Sequence, residues 1–313
     1  MSLNRLDRFQ GALLGLACGD ALGTTVEFSP RWRFEPLTDI VGGGPFNLKA
    51  GQWTDDTSMA LCLAESLLVK KKMNLADQLE RYLNWFHNGE NSVTGDCFDI
   101  GNTVRAALNH FQRTGNSLAG SCSPSAAGNG SIMRLAPVVL FYANHPISTL
   151  LSQCEASSRT THQAPEAIAA CQLFGYYTHR ALSSISKEEI LNVDDFFEIR
   201  DKLSPSFPTS LKRIATGSYQ TKTRDDIKGS GYVVDSLEAA LWCFHQSETF
   251  EEGALLAANL GDDADTTAAV FGQLAGAYYG KQGIPKNWLR KLAWKNKIQG
   301  IADRLYESSS NHP

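Results

Sequence analysis

No stretch of the chain approaches 18 uninterrupted apolar residues, so no segment is expected to span a membrane as a helix. Cysteine never occurs as a C-x-x-C pair. Cys18, Cys62, Cys97, Cys122, Cys154, Cys171 and Cys243 are scattered and odd in number, which argues for reduced thiols in a cytoplasmic setting, mostly as small core residues. Positive charge is not in excess: 29 Lys and Arg stand against 33 Asp and Glu, a net charge of -4, so there is no general footprint for nucleic acid or an anionic membrane. A phosphate-bearing small ligand would have to be met locally. Strictly alternating stretches are short and rare, and low-complexity tracts and clean linkers are lacking.

What the chain does contain is helical periodicity. Apolar residues recur at three- and four-residue spacing in Leu6–Leu22, Thr57–Val69, Leu75–Phe86, Thr103–Phe111, Ile132–Tyr142, Leu150–Cys154, Ala164–Leu182, Val233–Phe244, Ala254–Leu260, Thr266–Tyr279 and Trp288–Tyr306. The pattern predicts an all-α fold, a single compact multi-helix domain spanning residues 1–313. The first segment is interrupted by Gly11, Gly15 and Gly19 and preceded by Asp7, which predicts a closely packed buried helix rather than a signal peptide. Ser183 to Gly231 is the most polar and broken stretch, expected to form surface helices and loops.

Two helix starts share an unusual design. "GQWTDDTSMAL" places Asp55 and Asp56 side by side after Thr54, and "NLGDDADTTAAVFGQ" repeats clustered acids ahead of a small-residue helix with Asp263, Asp265 and Thr266. Taken singly, each is an ordinary cap, because Ser, Thr and Asp oxygens accept the free N–H groups of a first turn. Taken together, facing each other, they would crowd at least four carboxylates into one space, which raises their pKa values unless cations neutralise them. Every donor is an oxygen, which favours Mg²⁺, Mn²⁺ or Ca²⁺ over zinc or copper. An EF-hand loop does not fit, for the sharp-turn Gly and the terminal bidentate Glu are both missing.

Other residues carry chemistry in the same format. Glu27 follows the bend after Gly23 and is either a loop acid or a carboxylate brought near the metals. Asp99 and Asn102 precede or open another helix, where capping alone accounts for them. Gly128, Asn129 and Gly130 offer backbone N–H groups ahead of a helix, a phosphate cradle or a plain turn. His162 lies between two helices as a structural hydrogen-bonder or a ligand contact, and Tyr232 follows a Gly-Ser-Gly bend, suited to stacking on a base or to packing.

The segments "GALLGLACGDALGTTVEF", "GQWTDDTSMAL", "FDIGNTVRAAL", "AAGNGSIMR", "TTHQAPEA", "GYVVDSLEAAL" and "NLGDDADTTAAVFGQLAGAYYG" resemble, in order, the ADP-ribosylglycohydrolase family, and within it the dinitrogenase reductase-activating glycohydrolases. The resemblance runs from about Leu6 to Leu292. It implies an all-α domain with a dinuclear metal cleft of two Mg²⁺ or Mn²⁺ ions, hydrolysing the N-glycosidic bond between ADP-ribose and an arginine of a modified protein. By the same resemblance Thr54, Asp55, Asp56, Asp263, Asp265 and Thr266 are metal ligands. Asp99 is the acid/base carboxylate and Glu27 the acid near the metal-bound water or ribose. Gly128 to Gly130 form the phosphate loop, with Asn102, His162 and Tyr232 lining the ADP-ribose. One departure stands out: Gly261-Asp262-Asp263 replaces the Gly-Gly-Asp of many relatives, adding an acid that is either a solvated bystander or a modulator of metal affinity. Rival expectations are a two-metal phosphoester hydrolase, a hydrolase of another ADP-ribose linkage, and a non-enzymatic binder, which would be expected to have lost its metal acids.

Overall fold

The structure, a computed structural model, describes residues 3–202 and 206–310, so 203–205 of the expected surface segment and the chain ends lie outside the described residues. Its elements are α1 Arg5–Gly23, α2 Asp55–Lys70, α3 Leu75–Asn88, α4 Asn102–Thr114, α5 Ala136–Phe141, α6 Ile147–Arg159, α7 Pro165–Ala181, α8 Lys187–Leu191, α9 Asp194–Asp201, α10 Thr209–Ala215, α11 Val233–Gln246, α12 Phe250–Ala258, α13 Ala264–Gly283, α14 Lys286–Lys291 and α15 Lys295–Ser310. Among the described residues there is no strand, only isolated bridges such as Ser121 to His162 and Gly128 to Tyr232. Among the described residues no helix is long and apolar enough to cross a membrane. The all-α expectation holds.

The fold is organised by the approach of α1 to α13. Residues four apart share a helix face, so Gly11, Gly15, Gly19 and Gly23 form a groove along α1. A Cβ at Gly19 would stand 2.1 Å from the Ala268 carbonyl oxygen, and one at Gly15 2.2 Å from that of Gly272. Backbone therefore rests on backbone, which only residues without side chains permit. The pairing continues from Gly11 against Gly276 to Gly23 against Ala264, so the two helices run antiparallel. As a result, the C-terminal end of α1 meets the acidic N-terminal end of α13.

The start of α2 is pinned to the same place. Trp53 is fully buried, packs edge-on against Trp294 at 5.2 Å and donates its indole N–H to the Ala293 carbonyl at 3.2 Å. Gly51 has φ of 90° and passes so close to Lys291 that a Cβ would lie 2.0 Å from its carbonyl oxygen. Helices α5, α7, α11, α12 and α15 close the core around these elements.

Several boundaries differ from expectation. The single helix expected over Trp288–Tyr306 is two, α14 and α15, parted where Trp294 takes φ of 54°. The helix expected from Ile132 begins only at Ala136, with Pro137 in its first turn, where a missing N–H costs no hydrogen bond. The expected surface segment forms α8, α9 and α10 with connecting loops.

Candidate functional site

The residues at the two N-cap positions do not cap their own helices, although within α13 Asp265 Oδ1 accepts from Thr266 N at 2.7 Å. Thr54 is the N-cap of α2 and Asp263 that of α13, yet neither side chain accepts a hydrogen bond from its first turn. Asp99 does not cap α4 either: Gly101 takes that place, while Asp99 sits two residues earlier with φ of 54°. These oxygens are aimed elsewhere, which removes the ordinary explanation for their presence.

They are aimed at one another, and Asp20, which the sequence reading did not single out, holds them in place. Both of its oxygens are occupied: Oδ1 accepts from Thr54 N at 2.8 Å and Thr54 Oγ1 at 2.9 Å. Oδ2 accepts from Thr57 N at 3.0 Å and Thr57 Oγ1 at 2.6 Å. Asp20 is thus the side chain that ties α1 to the first turn of α2. The cue available in sequence was slight, an acid directly after Gly19 on the small-residue face.

Around this clamp the charges crowd. Thr54 Oγ1 lies 3.2 Å from both Asp56 Oδ2 and Asp265 Oδ2, and Thr266 Oγ1 is 3.4 Å from Asp56 Oδ2. A hydroxyl carries one proton and cannot serve three carboxylates. Asp20, Asp56 and Asp265 offer oxygens all within 4.8 Å of one another, as do Glu27, Asp99 and Asp265. The fully buried Asp56 Oδ1 and the buried Glu27 Oε2 have no hydrogen-bond partner. Unpaired buried carboxylate oxygens are costly, so an all-oxygen donor set of this kind suits a hard divalent cation shared through Asp265.

The proton affinities reflect the same crowding. Burial pushes the carboxyls of Asp55, Asp56 and Asp265 well above the usual range, and neighbouring acids push further. Burial also raises Asp263. Glu27 is pushed up to about 9 by burial and then by Asp99. Asp99 goes to about 7 by burial, Asp20 and Asp263, and Asp20 to about 6 by burial. Positive charge at this point would reverse these shifts.

Above the acids opens a cavity of about 380 Å³, whose lining includes Glu27, Phe28, Asp55, Asp99, Asn102, Asp263, Asp265 and Thr266 together with Gly128 to Gly130, His162 and Gly231. Thr54 and Asp56 lie beneath this lining, both fully buried. Asn129 connects the glycine loop to the acids, donating from Nδ2 to Asp263 Oδ2 and to Ser236 Oγ, each at 2.8 Å. Its own N–H donates to Gly231 O at 3.1 Å. His162 lies under the loop, its Nδ1 2.8 Å from Thr161 Oγ1, and burial takes its pKa down to about 3, so the ring is neutral. A Cβ at Gly130 would stand 2.9 Å from His162 Cε1, which is why the loop needs glycine there.

Tyr232 departs from the expected arrangement. Its backbone pairs with Gly128, but its ring is absent from the cavity lining and stands in a second hollow with Ser210, Lys228 and Asp235. A residue that pairs its backbone toward the loop can send its side chain away from it. Asp262 is exposed and has φ of 56°, the left-handed region that glycine takes freely and Asp tolerates. Its backbone binds the Glu27 strap, with Phe28 N donating to Asp262 O at 2.7 Å and Asp262 N to Ser29 O at 2.9 Å.

Comparison with known proteins places the chain in a family. A family model described as ADP-ribosylglycohydrolase matches residues 1–313. The chain is 49% identical over 305 residues to the ADP-ribosylarginine hydrolase Tri1 of Pseudomonas putida, covering 96% of this chain and 78% of that protein. It is 34% identical to the ADP-ribosyl-[dinitrogen reductase] glycohydrolase of Rhodospirillum rubrum, with 92% and 91% covered. A solved structure described as an ADP-ribosylglycohydrolase-related protein complex superposes with a TM-score of 0.86 at 43% identity, covering 98% of this chain and 99% of that one.

Proposed function

The chain belongs to the ADP-ribosylglycohydrolase family and is an enzyme that removes ADP-ribose; from that premise we propose that it cuts the N-glycosidic bond to arginine on a modified protein, in a metal-dependent reaction. Two relatives named ADP-ribosylarginine hydrolases, at 49% and 44% identity, support the arginine linkage. The observation that carries the metal dependence is the set of converging carboxylates with unpartnered buried oxygens on Asp56 and Glu27.

Thr54, Asp55, Asp56, Asp263, Asp265 and Thr266 would hold two divalent cations, Mg²⁺ or Mn²⁺. Bound there, the ions supply Lewis-acid orientation of the ribose hydroxyls and of a water. Asp20 keeps Thr54 and the first turn of α2 in register through its four accepted hydrogen bonds. Gly128, Asn129 and Gly130 receive the diphosphate, since a glycine loop presents N–H groups without obstruction. His162 supports that loop as a neutral ring, and Asn102 lines the cavity at the start of α4. Asp99, whose carboxylate comes within 4.8 Å of Glu27 and Asp265 and lines the cavity, would hold and release the proton that must reach the departing guanidine nitrogen. Glu27 stands beside it, facing the ribose and the attacking water.

The domain assignment follows: we read residues 1–313 as one ADP-ribosylglycohydrolase domain, since its site joins both ends of the sequence. Unpaired cysteines fit action in the cytoplasm, and a net charge of -4 fits a protein rather than a nucleic-acid partner.

The test is to incubate the protein with mono-ADP-ribosylated arginine, with and without EDTA, and to measure free ADP-ribose. Release that EDTA and Asp56→Asn both abolish is the expected result. No release by the metal-loaded protein would refute the activity, and release indifferent to both treatments would refute the metal chemistry.

A further inference from the structure

Both carboxylates nearest the bond to be cut are followed or preceded by a phenylalanine, Glu27 by Phe28 and Asp99 by Phe98. Phe46 links the two rings, its centroid 6.2 Å from Phe28 and 5.2 Å from Phe98. Phe28 lines the cavity, yet the residue is 65% exposed. Its φ is 60°, a backbone state that is an outlier for a bulky residue and persists only where neighbours enforce it. Here the enforcement is the backbone pairing with Asp262 and Ser29. The backbone bonds and Phe46 thus hold an exposed aromatic ring at the cavity that Glu27 and Asp99 line.

We propose that Phe28, backed by Phe46 and Phe98, is an aromatic shelf at the lip of the cleft that receives the guanidinium of the modified arginine. The proposal rests on the arginine-linkage reading above and names the acceptor side of the same site. The position suits the acceptor rather than the nucleotide, because Phe28 lines the cavity directly beside Glu27, and Phe98 directly precedes Asp99, the two carboxylates assigned to the bond that is cut. The chemistry also suits it: a guanidinium is planar, stays charged at neutral pH and is attracted by the face of an aromatic ring.

The experiment compares two ligands. For ADP-ribosyl-arginine, Phe28→Ala is expected to lower kcat/KM by roughly 3- to 30-fold, and Phe28→Tyr to restore it. Product inhibition by free ADP-ribose is expected to stay unchanged in both. Phe28→Gly, which suits the backbone, repeats the Ala test in a variant with no strain to impair folding. An unchanged kcat/KM, or an equal loss of ADP-ribose inhibition, would overturn the shelf. Calorimetry with the same two ligands on Asp99→Asn protein reads the shelf without turnover, so an inactive wild type defeats the hydrolase reading while the shelf is still judged.

Discussion

The acidic wall of the cleft rests on long helices whose backbones touch, whereas the glycine loop that also lines it is fastened by a few hydrogen bonds, most of them from Asn129. On the first, α1, α2 and α13 are locked by glycine contacts and by the four bonds of Asp20. On the second, Gly128 to Gly130 are held by Asn129, a bridge to Tyr232 and the His162 ring beneath. Repelling carboxylates need a rigid frame to be kept together, because each would otherwise rotate away toward water. A loop that meets a phosphate needs only open N–H groups and little bulk. The difference in construction follows the difference in charge.

That contrast can be attacked from either wall. The largest effect is expected at Asp265→Asn, which removes the acid shared by both clusters: turnover should fall by roughly 10³-fold or more, while metal-free thermal stability rises as repulsion is relieved. Next comes the frame. Gly19→Ala drives a Cβ to 2.1 Å from Ala268 O, so chemical denaturation should show a loss of about 3 kcal/mol, at the upper end for overpacking or beyond it.

The third test uses pH. Carboxyls with folded-state values raised above those of the unfolded chain give stability that is fully present below about pH 4. It is lost as pH rises through about 6 for Asp20, 7 for Asp99 and 9 for Glu27. Melting temperature without metal should therefore fall as pH rises from 5 to 9, with Mg²⁺ or Mn²⁺ restoring most at the alkaline end. A flat profile would mean that neither burial nor neighbouring charge raises these carboxyls.

On the loop wall, Asn129→Ala should weaken ADP-ribose binding by on the order of 10-fold through the lost hydrogen bonds, and leave metal stabilisation largely intact. The smallest effect is expected at Asp262→Gly, within about 1 kcal/mol in stability and with metal affinity unchanged, because the side chain is exposed and the backbone already has a glycine-like φ.

The acidic wall was also the more legible in sequence. Paired acids at Asp55, Asp56, Asp263 and Asp265 repeat a local pattern too odd to be capping alone, and the Gly11–Gly15–Gly19 spacing marks the contact that joins them. Asp20 escaped notice because its partners, Thr54 and Thr57, are set by tertiary contact and not by spacing. The direction of the Tyr232 ring was not legible for a related reason: a motif fixes where the backbone goes, while the side chain's direction depends on what packs behind it. The break before α15 hides in an apolar pattern that runs on through Trp294, whose φ of 54° no periodicity signals.

The central claim is that two acidic helix starts, far apart in the chain, jointly hold divalent ions. Crystals of the protein soaked in Mn²⁺ and measured at the manganese absorption edge test it most directly. Anomalous peaks between Asp56, Asp263 and Asp265 are the expected result; a cleft without manganese, or manganese bound only at other sites, would contradict it.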